Sequence, residues 1–265
     1  MDGFREGIEF FEKNNSSLLG SALGNQYIDR VEFEINETIK SLNGFSGTSA
    51  SIGTLKGDVA EFWHAGTFNI KAAVKGSKHR LVVDRSHDFG SVDVRGKNFI
   101  SKAGLKYYKD GVASAKQQSK SIFERYKEYQ AQGGKDSIEL FLKKRGYSDT
   151  SVLNSAVYAG QIRVIPADQL KDAVAYLEKK IAKESVNRPE QVQRLRETLE
   201  MLTDKISDNE GVESIPFTES ESRYVAQLAK EGLIDPIKLE QFVTTSCSFE
   251  TIFEIAQFHT RGFDI

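Results

Sequence analysis

Residues 91–109 read Ser91-Val92-Asp93-Val94-Arg95-Gly96-Lys97-Asn98-Phe99-Ile100-Ser101-Lys102-Ala103-Gly104-Leu105-Lys106-Tyr107-Tyr108-Lys109. Residues 91–95 and 104–108 are short, rich in β-branched and aromatic side chains, and bounded by Gly, Asn and Ser, so both read as strands. Residues 80–84 hold Leu81-Val82-Val83 and read as a strand before them. Gln161-Ile162-Arg163-Val164-Ile165-Pro166 reads as a fourth, stopped by proline.

Helical periodicity surrounds these strands. Phe4, Ile8 and Phe11 mark a helix over 2–14, and Val31, Ile35 and Ile39 mark one over 28–42. Thr54 is placed to cap a third, with Leu55, Val59 and Phe62 on one face. A long helix is expected over 112–132, ended by Gly133-Gly134, and Asp136 can cap a short one through Leu142. Helices over 167–184 and about 188–206 follow, the second with Pro189 near its first turn. Thr218-x-x-Glu221 is a capping box whose helix stops at Gly232, and shorter helices are expected at 238–243 and 248–258. The fold class is α/β, a small mixed sheet flanked by helices with helical additions at both ends. The expected division is a helical extension at 1–53, an α/β core at 54–170 and a helical region at 171–265.

Composition narrows the function classes. The 265 residues are 39% hydrophobic and 28% charged, with a net charge of -2, the profile of an ordinary globular protein. Cys247 is the only cysteine, which excludes an internal disulfide and a cysteine zinc cage. The absence of a long apolar run and of a secretory leader pattern points to a cytoplasmic protein without membrane partners. Neither a GxxxxGK[ST] phosphate loop nor a GxSxG elbow is present. The charge is segregated: residues 71–109 carry ten Lys/Arg and three Asp, a local +7, while the remainder carries 26 basic and 35 acidic residues. A basic patch of this kind attracts phosphate backbones. Its members include Lys75, Lys78, Arg80 and Lys102, and the expected nucleic-acid contacts are Arg85, His87, Arg95, Lys97 and Lys109, with Gln117 on the following helix.

Three ionisable residues stand among apolar neighbours: Glu61 between Ala60 and Phe62, Asp93 between Val92 and Val94, Lys106 between Leu105 and Tyr107. Each alone is consistent with a solvent-facing position, since strands alternate faces. Together they form an ordered set of helix Glu, strand Asp and neighbouring-strand Lys. Two carboxylates meeting at a sheet edge suit a divalent cation with oxygen ligands and retained waters, and a lysine can hold the attacking water or neutralise phosphate charge.

This order resembles the PD-(D/E)xK nuclease superfamily, the restriction-endonuclease-like fold, over about residues 54–170. The matching segments are Gly57-Asp58-Val59-Ala60-Glu61, Ser91-Val92-Asp93-Val94 and Gly104-Leu105-Lys106-Tyr107-Tyr108-Lys109. The resemblance implies Glu61 and Asp93 as ligands of Mg²⁺ or Mn²⁺, Lys106 as the catalytic lysine, and hydrolysis of DNA or RNA in bacterial anti-phage defence or a mobile element. It also implies an acidic residue or Gln two positions before the lysine, where this chain has Gly104. Three readings follow: a leaner site completed by the Leu105 carbonyl and water, a carboxylate from elsewhere with Asp88 the nearest, or a scaffold that binds nucleic acid or acts as an adaptor without cutting. The helical regions are candidate surfaces for a partner protein or a second copy. A His-Asn-His site is disfavoured, because no histidine follows Asn98 until His259.

Overall fold

The computed structural model describes residues 29–86, 88–184 and 188–243, the last four through their backbone only. The helices expected over 2–14 and 248–258, and His87, lie outside the described residues. The chain folds as a five-stranded mixed sheet flanked by helices. Helix α1 covers 29–43 and α2 is Ile52–Val74. A meander of β1 (Leu81–Val83), β2 (Val94–Gly96) and β3 (Lys102–Leu105) follows, antiparallel throughout. Helices α3 (Gly111–Gln118), α4 (Ile122–Ala131) and α5 (Ile138–Lys143) then cross to β4 (Ile162–Val164), parallel to β3. Helices α6 (Leu170–Glu184) and α7 (Pro189–Glu200) cross to β5 (Leu202–Thr203), parallel to β4. The strand order is β1-β2-β3-β4-β5, and helical crossovers are what parallel neighbours require. Helices α8 (Glu219–Glu231) and α9 (Pro236–Val243) close the described chain.

Helix α2 is buried nearly all round and forms the spine of the main core, as its apolar circumference dictates. Trp63 stacks on Phe217 with centroids 4.4 Å apart and donates its indole N–H to the Ile215 carbonyl. Gly66 allows α1 to approach, since a Cβ there would stand 2.5 Å from Thr38 Cγ2. This core runs from Val31 on α1 to Leu239 on α9. A second cluster joins Ile122, Tyr126, Phe141, Leu142, Val157 and Tyr158 beneath α4 and α5.

Several expectations need correction. Helix α2 starts earlier, capped by Ser51 through the Thr54 N–H. The long helix expected over 112–132 is two helices. Ser119 ends α3, and Ser121 with Glu124 forms a capping box that starts α4. A serine side chain that bonds the backbone favours a new helix start over continuation. Ser137, not Asp136, caps α5. Helix α7 stops at Glu200, and the two residues of β5 behind it are too short for any periodic signal. The capping box at Thr218 and the left-handed Gly232 stop (φ 69°) stand as expected.

Candidate functional site

The site is assembled beside α2, where β2 begins and β3 ends. Asp93 immediately precedes β2, and Lys106 immediately follows β3 rather than lying inside a strand as expected. Beyond the Val94–Ala103 pair the ladder loosens. Asp93 N–H donates to the Ala103 carbonyl, while its carboxylate Oδ2 accepts the Leu105 N–H at 2.7 Å and Lys106 Nζ at 3.0 Å. The side chain thus replaces a ladder bond and holds the lysine with the same oxygen. Lys106 Nζ also donates to the Leu105 carbonyl at 2.8 Å and lies 4.6 Å from the Tyr158 ring centroid. The Asp93 and Lys106 side chains are 17% and 16% exposed, so the pair is largely desolvated while still reachable.

Glu61, on α2, lies close enough for the charges of Asp93 and Lys106 to act on it. Burial pushes its carboxyl up to about 8, and the Asp93 and Asp58 carboxylates add to the rise against the pull of Arg85 and Lys106. Glu61 is therefore protonated at neutral pH in the metal-free protein. Burial works against the Lys106 charge, but Tyr158 and Asp93 outweigh it and raise its pKa. Lys106 is an ammonium, suited to neutralising negative charge and orienting oxygen atoms rather than to taking a proton.

The structure brings Glu61, Asp93 and Lys106 into one electrostatic neighbourhood. Two clefts meet there. One of about 480 Å³ is lined by Asp88, Gly90, Asp93, Glu128 and Arg145. The other, about 630 Å³, is lined by Lys56, Lys106, Tyr108, Lys109 and Arg223. Arg125 and Tyr158 line both. Neither residue stands out in the sequence; Tyr158 lies in a turn before β4 and reaches Lys106 only through the tertiary fold.

The remaining candidates separate. Arg85 directs its guanidinium at Asp58 (3.4 Å) and Glu61 (3.7 Å), and so belongs to the carboxylate cluster. Arg95 pairs with Asp84 at 3.3 Å. Lys97 and Lys109 are exposed. Gln117 lines a different cleft, with Lys116, Lys120 and Tyr176. Part of the basic segment is committed to structure: Arg80 pairs with Glu34 at 2.6 Å, and Lys75 donates to the Gly211 carbonyl. The segment therefore does not present one continuous face around Lys106. Tyr107 is buried and Tyr108 is 40% exposed. A Cβ on Gly57 would meet open space, so no contact within the protein calls for that glycine, which lines the same cleft as Lys106.

Among the described residues, only His79, Asp208 and Glu210 bring three metal-type donor atoms within 4.8 Å of one another. That trio is internally satisfied, with His79 Nδ1 on Asp208 at 2.8 Å and Nε2 on Glu210 at 3.6 Å. Asp88 shares the Asp93 cleft but is exposed and bonded to Ser86, and it does not gather with Glu61 and Asp93 within that limit. His64 is fully buried between Ser214 and Tyr107, and burial lowers its pKa to about 3. It is a neutral structural residue. No helix among the described residues is long and apolar enough to cross a membrane. No family model, no curated protein and no solved structure matches the chain.

Proposed function

We propose that this protein is a divalent-metal-dependent nuclease whose site is Glu61, Asp93 and Lys106. The observation that carries the reading is the electrostatic state of Glu61. Asp93 and Lys106 meet at 3.0 Å in a largely desolvated corner, and Glu61 is close enough that burial first, and the Asp93 and Asp58 carboxylates after it, hold its proton to about pH 8, so two carboxylates gather where a cation would relieve both. The donor set is all oxygen, which fits Mg²⁺ or Mn²⁺. Glu61 and Asp93 would hold the ion, with the Leu105 carbonyl beside them; when bound it supplies Lewis-acid charge and an ionised water.

Lys106, kept charged by Asp93, stabilises charge on the scissile phosphate. Glu61 gives up its proton as the site loads. Lys109 in the adjoining cleft, with Lys97 further along, supplies exposed positive charge to follow a phosphate backbone. The order of α2 with Glu61, the β2–β3 hairpin with Asp93 and Lys106, and α3 behind supports a restriction-endonuclease-like core. The biological setting that goes with this reading is defence against foreign nucleic acid.

The test is cleavage of plasmid DNA and of structured RNA with Mg²⁺ or Mn²⁺, comparing the native chain with Lys106→Ala and Asp93→Asn. Loss of cleavage in both variants, with folding intact by circular dichroism, is expected. Equal cleavage by all three proteins overturns the nuclease. Nucleic-acid binding without any cleavage, in the presence of bound metal, selects the non-cutting scaffold instead.

A further inference from the structure

The site has an oxygen that its own strand does not supply. A Cβ built on Gly104 would stand 2.9 Å from Gln161 Oε1 and 3.5 Å from Tyr158 Cδ1. The space beside β3 that a side chain at 104 would enter is thus held by an amide oxygen from the start of β4. Gln161 is 5% exposed. Its Nε2 donates to the Gly90 carbonyl at 2.9 Å, which fixes the orientation of the amide. Oε1 is then directed at Gly104, buried and without a hydrogen-bond partner. A buried acceptor left without a donor is costly and calls for a specific reason.

Its surroundings indicate what that reason is. Tyr158, in contact range of the Gly104 position, also lies under Lys106 Nζ. Gly90, anchored by Gln161, lines the same cleft as Asp93 and Tyr158. Gly104 follows Ala103, the residue paired with Val94, so it sits opposite Asp93 across the β2–β3 ladder. The orphaned oxygen therefore stands in the Asp93–Lys106 neighbourhood, and no described residue satisfies it.

We infer that Gln161 Oε1 is a neutral oxygen ligand, reaching across from β4 to complete the divalent-cation site of Glu61 and Asp93. The inference rests on the metal-site reading above and assigns to it a ligand from a different strand. A side chain at 104 would displace the amide oxygen from its present position, since even a Cβ would stand 2.9 Å from it.

Mn²⁺ binding measured by calorimetry and by electron paramagnetic resonance on the full chain tests it. Gln161→Leu removes both the ligand oxygen and the bond to Gly90. Gln161→Glu keeps an oxygen and loses the Gly90 donor. If Gln161 ligates the ion, Gln161→Leu weakens Mn²⁺ by about tenfold or more, and Gln161→Glu restores or exceeds native affinity. If Gln161 only pins the Gly90 loop, Glu fails as Leu does, and the inference is overturned. Native affinity in Gln161→Leu alongside weakened binding in Asp93→Asn overturns it too, while leaving the Glu61–Asp93 site standing. Absence of Mn²⁺ binding by the native chain overturns both.

Discussion

Replacing Glu61 with Gln should stabilise the metal-free protein progressively as pH rises from 4.5 to about 8. The carboxyl ionises at about 8 in the folded chain against 4.5 when unperturbed. Below pH 4.5 both states hold the proton and Glu61 contributes no pH dependence. Between 4.5 and about 8 the folded state holds a proton that the unfolded state has released, so stability falls as pH rises. At about 1.4 kcal/mol per unit, that span makes ionised Glu61 cost about 5 kcal/mol above pH 8. The side chain is only 16% exposed, so solvent removes little of this.

His64 sets the opposite limb. Burial lowers its pKa from 6.5 to about 3. The unfolded state therefore takes up a proton that the folded state refuses, and stability falls as pH drops below 6.5. Between 4.5 and 6.5 the two slopes cancel, which predicts a plateau there and a decline on either side. Trp63, the only tryptophan and fully buried, reports unfolding by fluorescence. Urea titrations at pH 5, 6, 7, 8 and 9 should show the native chain weakening above 6.5 and Glu61→Gln holding level, the gap reaching several kcal/mol by pH 9. Parallel curves, with a constant difference at every pH, would refute the reasoning and with it the electrostatic case for a cation.

Three further outcomes follow from the same geometry. Loading with Mn²⁺ at pH 7 should release close to one proton, and near none at pH 9, as read by calorimetry in buffers of different ionisation enthalpy; zero release at pH 7 means that Glu61 is not a ligand. Lys106→Met should destabilise the protein by about 3 kcal/mol by leaving Asp93 desolvated and unpaired, and adding Asp93→Asn should recover part of that loss, a coupling that a double-mutant cycle measures. Lys109→Ala and Lys97→Ala should each weaken nucleic-acid binding and lower the slope of log affinity against log salt by about one, measured by fluorescence anisotropy; an unchanged slope removes that lysine from the interface.

The sequence and the structure agree where the signal is local. The Thr218 capping box and the Gly232 stop are written in four and one residues, and both are observed. The strand core Leu81-Val82-Val83 is likewise observed as β1. Signals that depend on competition between neighbours were less legible. An apolar stripe runs through 112–132, but Ser121 and Glu124 take up each other's backbone donors and restart the helix. Basic residues counted along 71–109 suggested one electropositive face. Arg80 and Arg95 instead meet Glu34 and Asp84, partners that charge counting cannot assign.

The candidate site divides along the same line. Glu61, Asp93 and Lys106 were legible because each is a charge in an apolar setting, and such a charge must find a partner or a function. Tyr158 and Gln161 were not, because nothing in a turn tyrosine or a strand-leading glutamine is anomalous until the fold puts one under Lys106 and the other against Gly104. Glycine at 104 looks like a defect when β3 is considered alone, since it deletes an oxygen from the strand that carries the lysine. Beside β4 the same glycine leaves room for the Gln161 amide oxygen from the neighbouring strand. If Gln161 ligates the ion as inferred, the oxygen missing from position 104 is supplied by the neighbouring strand, and the Mn²⁺ affinity of Gln161→Leu against Gln161→Glu is what decides it.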